Sequence, residues 1–495
     1  MDSQLLAKSN AQAAGTRVRA DQFMKGPFGL GALNQKRLSA SAAFVISIVF
    51  LGLHSFAPVG RSAESAPITN NFSQPLSLAE ALNLALRQNP NILRALKDLE
   101  AAQGIIIQTR AIAIPKVRIS GAYSAIEPTD VDRPPASIPN FTFGTDQSWS
   151  SQIRLVQSLY EGGRMVSAFR AARLIQEQSM LNYKTVEADT ILEVEIVYYD
   201  VLLASQQIVV QVASVDLLNR ELTDTTRRHD AGTVPRFNVL RAEVELANAQ
   251  PRLIRARNSL RIAKNNLANM LGFAVSRETF EDIPFSLSDK LEAEPYNIEL
   301  PRAIAMALEQ RTELGALRKT EALREEDVVT ARAGYKPSLQ AYAGYDAHNS
   351  IFSSDLSDEL HGWITGVQLT WDIFDGLRAR GKVKESTALR AKAGIELDDR
   401  ARRIELEVRT AYSNFIEAQE VLESQKKVVE QGEEALRLAS ARNEAGSGTQ
   451  LDVLSAQTAL TEARTTQVQS LHDYEVARAR LERAVGANVP LARQQ

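Results

Sequence analysis

The sequence predicts a mainly α-helical protein that also contributes strands to a membrane β-barrel. Three observations predict this fold class. A unit of two strands and one long helical hairpin occurs twice, its helices carry apolar heptads, and its strands alternate polar and apolar residues.

The duplication is visible as two constant offsets along the chain. Pro115 and Pro337 are 222 residues apart, whereas the matching residues from Trp149 and Trp363 onward are 214 apart, so the second copy lacks eight residues in a loop. A period of about 200 residues is too long for a solenoid of small repeats. We therefore expect a first repeat over 67–285 and a second repeat over 286–495.

Residues 1–66 are predicted to be a signal peptide region. Lys36 and Arg37 precede an apolar run over 40–53, which as a helix rises only about 21 Å against a hydrocarbon core of about 30 Å. Small residues follow, so we expect cleavage between 57 and 66, with Met24 as the more usual start. The alternative is an N-terminal anchor helix. No later run is interpreted as a helical membrane span, so spanning segments are expected to be strands.

Each repeat is predicted to contain a long descending helix, a tight turn and a shorter return helix. Apolar residues seven apart form a heptad seam in the first descending helix, which predicts a supercoiled antiparallel hairpin about 100 Å long. The seam positions are Val194, Val201, Ile208, Val215 and Leu222. In the turns, Gly232 and Gly446 fit a left-handed C-cap, and Thr233 or Thr449 is expected to cap the next helix. One helix of about 35 residues is expected from Leu300.

The predicted strands are segments of about ten residues with one apolar and one polar face. In 116–125, Val117 and Ile119 alternate with Arg118 and Ser120, and three further segments repeat this pattern. Four strands cannot close a barrel, and an open sheet edge is not tolerated in lipid. The chain is therefore expected to oligomerise, and a trimer would supply twelve strands, enough for a conducting barrel.

Composition excludes several function classes. The net charge is −3, which gives no electrostatic case for nucleic acid, and the absence of cysteine excludes disulfides and thiolate sites. No phosphate-binding glycine loop or nucleophile elbow is present, so we expect no enzyme and no cofactor. The one metal alternative is a surface site in a loop, formed by His348, His361, Asp355, Asp358 and Glu359.

The sequence resembles the TolC family of outer-membrane export ducts between Leu78 and Gly486. The resemblance rests on the duplication, on 155–164 and 369–378 at the strand-to-helix junctions, and on the two Ala-Gly turns. It implies a homotrimer in which a twelve-stranded outer-membrane barrel continues into a coiled-coil periplasmic tunnel. It also implies docking with a periplasmic adaptor (membrane fusion) protein and with an inner-membrane efflux transporter or ABC secretion ATPase.

The resemblance also implies candidate site residues. Relatives close the tunnel with two aspartates at the second tip. Asp452 matches the first and Ser455 occupies the place of the second, giving a candidate pore constriction; the alternative is that Asp452 only stabilises a helix N-terminus. The candidate adaptor-binding tips are Gly232, Thr233, Gly446, Ser447 and Leu451, and the candidate membrane-interface aromatics are Tyr160, Trp371 and Phe374.

Two questions stay open in the sequence. A coiled-coil structural protein of the envelope, without a channel, would also explain the heptads, although not the four strands. Within the duct interpretation, the residues do not distinguish drug, metal or protein cargo, or the inner-membrane pump.

Overall fold

The computed structural model describes residues 75–127, 145–273, 285–350 and 356–487. The expected signal region lies outside the described residues. The described helices are α1 (Leu78–Gln88), α2 (Pro90–Arg110), α3 (Arg164–Asp230), α4 (Arg236–Met270), α5 (Leu300–Gln310), α6 (Thr312–Arg332), α7 (Arg378–Glu444) and α8 (Gln450–Val485). The described strands are β1 (Lys116–Ala125), β2 (Gln147–Glu161), β3 (Ser338–Asn349) and β4 (Glu359–Thr370).

The two halves follow the same order of elements, as the duplication predicts. Each half has two helices, two strands, a long helix and a return helix, and α3 and α7 are both 67 residues long. At 1.5 Å per residue, each long helix extends about 100 Å. The long helices therefore match the expected length of a tunnel wall.

The four strands form one antiparallel sheet in the order β1-β2-β3-β4. The β1–β2 and β3–β4 pairs are hairpins within each repeat, and the β2–β3 pair joins the repeats. Within the described residues, β1 and β4 each pair with one strand only, so both outer edges of the sheet are open. One chain therefore supplies an open sheet and not a closed barrel.

The helical core forms where the short helices pack on the long ones. One buried cluster joins α1, α3 and α4 through residues such as Leu82, Tyr198 and Leu267, and also includes Phe285 from the segment between the repeats. A second cluster joins α5, α6, α7 and α8 around Phe415. Burying each of these large side chains contributes about 1.5–3 kcal/mol, which fixes the helix hairpins against each other.

The single helix expected from Leu300 is wrong, because the structure breaks it into α5 and α6 at Arg311. Arg311 has extended backbone angles (φ −64°, ψ 122°), as Asn89 does between α1 and α2 (φ −60°, ψ 128°). In the first repeat, Pro90 at the start of α2 favours this break. The second repeat has Thr312 instead, and the buried Arg311 side chain bonds Glu313 and Glu407 there.

The expectation that no later segment would qualify as a helical membrane span is also wrong. By length and composition alone, α3 contains a stretch that is apolar enough to cross a bilayer. Along its length α3 contacts α2, α4, α6 and α8, and 17% of the apolar stretch is buried inside the chain. Length and composition alone therefore do not make α3 a membrane span.

Candidate functional site

The sheet has one apolar face that is exposed to its surroundings. On this face, Tyr123 pairs with Trp149 and Tyr345 pairs with Trp363 across neighbouring strands. Trp363 is 81% exposed, although such a side chain normally avoids water. The opposite face carries arginine, serine and glutamine. Strands with this alternation are typical of outer-membrane barrels, in which the apolar face contacts lipid.

The three candidate interface aromatics lie at the helical end of the sheet. Tyr160 follows a bulge in β2 and pairs with Leu339, which places it on the apolar face. Trp371 comes directly after β4, and its indole Nε1 donates a hydrogen bond of 3.2 Å to the Tyr335 carbonyl oxygen. Phe374 is 81% exposed. Aromatic rings that are exposed at the end of membrane strands are typical of the bilayer interface.

The two tips are tight turns that the sequence predicted correctly as left-handed helix ends. Gly232 has φ 76° and Gly446 has φ 74°. In both turns the next amide donates back to the descending helix, from Thr233 to the Arg228 carbonyl and from Ser447 to the Arg442 carbonyl, each at 2.9 Å. Both tips expose polar backbone and small side chains at the end of a helical hairpin.

Of the two expected helix caps, the one at Thr449 is confirmed and the one at Thr233 is not. Thr449 caps α8 and forms a capping box with Asp452: the Asp452 amide donates to Thr449 Oγ1 (3.2 Å), and the Thr449 amide donates to Asp452 Oδ2 (2.9 Å). Thr233 does not cap α4, because the N-cap is Pro235; its hydroxyl donates to the Arg228 carbonyl instead. The second tip is thus held by side-chain bonds that the first tip lacks.

Asp452 is exposed at the first turn of α8, and Ser455 is exposed one turn later. The hydrogen bond from the Thr449 amide, together with that from the Thr449 hydroxyl, lowers the pKa of the Asp452 carboxyl. The group therefore carries a negative charge at neutral pH. The structure brings Asp452 into the cap, as the alternative interpretation expected, and also leaves its charge open to solvent. Leu451 beside it is 47% exposed.

A buried link between the two hairpins was missed in the sequence. Gln450 opens α8, and its Nε2 donates a hydrogen bond of 2.8 Å to Thr225 Oγ1 near the end of α3. Gln450 is 9% exposed and Thr225 is 4% exposed. The two residues are 225 positions apart. No local pattern could have paired them, because the contact depends on how α3 and α8 pack.

Charged groups join the same helices farther from the tips. His472 on α8 lies between two carboxylates, with Nε2 at 2.9 Å from Asp200 Oδ1 on α3 and Nδ1 at 3.0 Å from Asp473 Oδ1. Burial alone would lower the pKa of His472, but these hydrogen bonds outweigh it and raise the pKa. Arg483 on α8 likewise bonds Asp189 on α3 and Glu313 on α6.

The residues of the suggested surface metal site do not converge in the described part of the chain. His348 lies with Nδ1 2.9 Å from the Asn349 carbonyl oxygen, whereas His361 lies against the Tyr345 ring. Asp355 lies outside the described residues. Within them, no three potential ligands form a group that could hold a metal ion.

The open four-stranded sheet with an exposed apolar face, joined to helical hairpins about 100 Å long, defines an outer-membrane channel protein. The chain belongs to the outer membrane efflux protein family, whose pattern it matches over residues 81–273 and 303–487. One matched stretch lies within each of the two expected repeats. The TolC-type resemblance in the sequence is thereby confirmed, and members of this family are channels rather than enzymes.

Individual relatives agree with this assignment. The chain is 24% identical to the outer membrane protein TolC of Vibrio cholerae over 83% of this chain and 90% of that protein. It is 26% identical to the cobalt-zinc-cadmium resistance protein CzcC of Cupriavidus metallidurans, with the same coverage. The crystal structure of VceC from Vibrio cholerae matches with a TM-score of 0.67 and 18% identity, over 83% of this chain and 96% of VceC.

The protein is therefore an exit duct in the outer membrane, which passes substrates of an efflux or secretion system to the exterior. The mainly helical fold with a membrane sheet, predicted from the sequence, is confirmed by this structural match. As a duct of this family, it works with a pump.

Proposed function

We propose that three copies of this chain form the duct, with a twelve-stranded barrel above a helical tunnel. The observation that carries this proposal is the pair of open sheet edges at β1 and β4. An open edge is not stable in lipid, so β1 of one copy must pair with β4 of the next. Exposed apolar residues on the outer helices, such as Ile254 on α4 and Ile395 on α7, support the same lateral contact.

The mature duct would consist of the two repeats 67–285 and 286–495, after removal of the signal region 1–66. Tyr160, Trp371 and Phe374 would anchor the barrel at the periplasmic interface of the bilayer. Their common position at the helical end of the sheet supports this role. The helices would then extend from that interface into the periplasm.

Asp452 would form the pore constriction, with Ser455 on the next turn. In a trimer, one Asp452 carboxylate from each copy would converge on the axis and favour cations over anions. The exposed position of Asp452 and the low pKa of its carboxyl support this role. The first tip has Asn238 and Arg241 at the matching positions, so only the second hairpin of each copy would contribute a carboxylate.

The tips at Gly232, Thr233, Gly446, Ser447 and Leu451 would bind a periplasmic adaptor protein, which connects the duct to an inner-membrane efflux transporter or an ABC secretion ATPase. The relative CzcC is named as a cobalt-zinc-cadmium resistance protein. A duct accepts the cargo of the pump that engages it. We therefore propose that this duct connects a pump to the exterior and that the pump determines which cargo passes.

Single-particle imaging of detergent-extracted protein tests the trimer. We expect particles with threefold symmetry and a length of about 130–140 Å, from about 100 Å of helix and about 30 Å of barrel. Rod-like particles without barrel density would contradict the proposal and favour a coiled-coil scaffold. Particles with a barrel and a different symmetry would contradict the trimer alone.

Site-specific cross-linking tests the tips. The natural chain has no cysteine, so single cysteines give unambiguous attachment points. We expect Thr233→Cys and Ser447→Cys, labelled with a short photo-cross-linker, to capture the co-expressed adaptor. The matched control is Glu385→Cys, an exposed residue of α7 near the sheet. Equal capture at all three positions would show that docking does not occur at the tips.

A further inference from the structure

The polar face of the sheet places two arginines directly opposite each other. Arg118 in β1 pairs with Arg154 in β2 within a continuous register of ten residue pairs. Like charges at directly opposite positions destabilise a strand pair. Serine or glutamine stands at the neighbouring polar positions, Ser120 and Gln152, so this face can be built without such a cost.

No carboxylate neutralises the two guanidinium groups within the described residues. Neither arginine forms an ion pair there, and the buried Arg154 Nε has no hydrogen-bond partner. The Arg154 guanidinium instead lies 5.4 Å from the centroid of the Tyr342 ring. A cation–π contact orients the guanidinium and leaves its charge intact. Asp346, on the same face, stands opposite Gln152 and forms no ion pair in this part of the structure.

The β3 residue paired with Arg154 has no side chain. This residue is Gly344, and the next partner in β4 is Ile364. A Cβ atom at Gly344 would lie 2.7 Å from the Ile153 carbonyl oxygen, so the close strand approach excludes a larger residue. The β3 position paired with Arg154 therefore carries no side chain, and the β3 residue that contacts the guanidinium is Tyr342.

A second copy of the chain does not supply the missing carboxylate. In the proposed trimer, Arg118 on the edge strand β1 would face β4 of the neighbour. The residues of β4 on the polar face carry no negative charge; they are Leu360, Gly362, Ile364, Gly366, Gln368 and Thr370. The positive charge is thus left open to the interior of the barrel.

We propose that Arg118 and Arg154 form an anion-binding ring in the barrel lumen. Each copy contributes two guanidinium groups, and the trimer therefore contains six. Planar guanidinium groups bind the oxygens of phosphates and carboxylates in pairs of parallel hydrogen bonds. The ring would bind small solutes with phosphate or carboxylate groups as they leave. The ligand comes from the lumen and not from a lipid headgroup, because the apolar face contacts the lipid. This inference rests on the proposed trimeric duct.

Electrical recording in planar bilayers of neutral lipid tests the ring. The reversal potential in a KCl gradient gives the ratio of chloride to potassium permeability, and inorganic phosphate serves as the probe ligand. We expect phosphate to reduce the wild-type current. The double variant Arg118→Gln/Arg154→Gln should lower the chloride-to-potassium ratio about threefold or more and lose the phosphate block.

The matched control keeps the charge and removes the forked geometry. Arg118→Lys/Arg154→Lys should retain the wild-type reversal potential and weaken the phosphate block, because an ammonium group cannot bind an oxyanion through two parallel bonds. An unchanged reversal potential in the glutamine variant would overturn the ring. A wild-type current that phosphate does not affect would also overturn the ring. This second result does not depend on the folding of any variant.

The same recordings distinguish failure of the ring from failure of the duct. If wild-type protein with confirmed insertion shows no conductance, the duct itself is contradicted. If phosphate affects the current only in bilayers that contain anionic lipid, the site responds to the membrane surface and the lumen ring is wrong. Persistence of the block in neutral lipid supports the ring and identifies a dissolved oxyanion as its ligand.

Discussion

Gly163 and Leu377 occupy the same position in the two repeats, 214 residues apart, and both have left-handed backbone angles. Gly163 has φ 98° and Leu377 has φ 70°; Leu377 is the one non-glycine residue with positive φ in the described part of the chain. Each residue forms the N-cap of a 67-residue helix, α3 or α7. The strand-to-helix junction therefore requires this conformation even where the sequence supplies leucine.

Substitutions at this pair should have opposite effects. Gly163→Leu should destabilise the protein by about 1–2 kcal/mol, because a side chain strains the left-handed conformation. Leu377→Gly should leave the apparent melting temperature unchanged or slightly raised, since it relieves that strain and Leu377 is 59% exposed. Thermal unfolding followed by circular dichroism measures both. A loss of stability in Leu377→Gly equal to that in Gly163→Leu would show that the leucine packs against another molecule.

The glycines one position before Gly163 and Leu377 allow the effect of backbone strain to be distinguished from the effect of a steric clash. Gly162 and Gly376 have nearly equal φ values of 66° and 69°. A Cβ atom at Gly162 would lie 2.8 Å from the Ala333 carbonyl oxygen, whereas one at Gly376 would meet no atom within 4 Å. We expect Gly162→Ala to lower the apparent melting temperature clearly more than Gly376→Ala. Equal shifts would mean that the close approach to Ala333 relaxes without cost.

The strands and long helices could be predicted from the sequence because their signals are local. The alternation over 116–125 coincides with β1, and the glycine turns mark both tips. The helix break at Arg311 was missed because Thr312, unlike Pro90 in the first repeat, gives no local signal of a break. The side chain of Arg311 is instead bound by Glu407, which is distant in the sequence. The links from Gln450 to Thr225 and from His472 to Asp200 were missed for the same reason. Such contacts follow from helix packing, which no sequence period specifies.

Two substitutions at the second tip separate the capping role of Asp452 from its charge. Asp452→Asn keeps an oxygen acceptor and removes the charge, so cation preference should fall while thermal stability changes little. Thr449→Ala removes the cap and keeps the carboxylate, so stability should fall by about 1 kcal/mol and cation preference should persist. Reversal potentials and melting curves measure the two properties. If only Thr449→Ala alters ion selectivity, the carboxylate does not line the constriction.

The pH dependence of Asp452 has a defined direction. The hydrogen bond from the Thr449 amide lowers the pKa of its carboxyl, so the carboxylate persists to lower pH than an ordinary aspartate. The midpoint of the decline in cation preference on acidification should therefore lie below the ordinary aspartate pKa of about 3.9. Loss of the preference at higher pH would assign selectivity to another group.

The partly buried carboxylate of Glu313 should stabilise the folded protein against acid. Burial raises the pKa of its carboxyl, but hydrogen bonds from Arg311 and Arg483 outweigh burial and bring the pKa to about 2. Because the folded pKa is below the ordinary value of about 4.3, the contribution is complete above that pH and disappears as the pH falls toward 2. Glu313→Gln should cost about 1.5–3 kcal/mol at neutral pH.

Melting curves of the wild type and Glu313→Gln between neutral pH and pH 2 measure this effect. The difference between their melting temperatures should shrink as the pH falls. The matched control is Glu423→Gln, which removes an exposed carboxylate bound to Lys426. Exposed pairs contribute little, so the control should melt like the wild type at every pH. A difference for Glu313→Gln that is constant with pH would exclude titration of its carboxyl as the cause.

His472 should stabilise the contact between α3 and α8 in the opposite pH range. Burial lowers its pKa, but Asp200 and Asp473 outweigh burial and raise it above the ordinary value of about 6.5. Because the pKa of His472 is raised in the folded state, its contribution to stability is complete below pH about 6.5. This contribution disappears as the pH rises through the folded-state pKa. Compared with His472→Gln, the wild type should therefore melt higher in mild acid, with a smaller advantage in base.

The two aspartates provide an internal comparison for this effect, because both contact the His472 ring but only one lies on another helix. Asp200→Asn removes the charge that joins α3 to α8, whereas Asp473→Asn removes a charge within α8. Both variants should lower the pKa of His472, measured by NMR of the imidazole. Asp200→Asn should also increase hydrogen exchange where α3 meets α8, because a contact between two helices limits their separation. Equal exchange in both variants would mean that apolar packing alone holds these helices together.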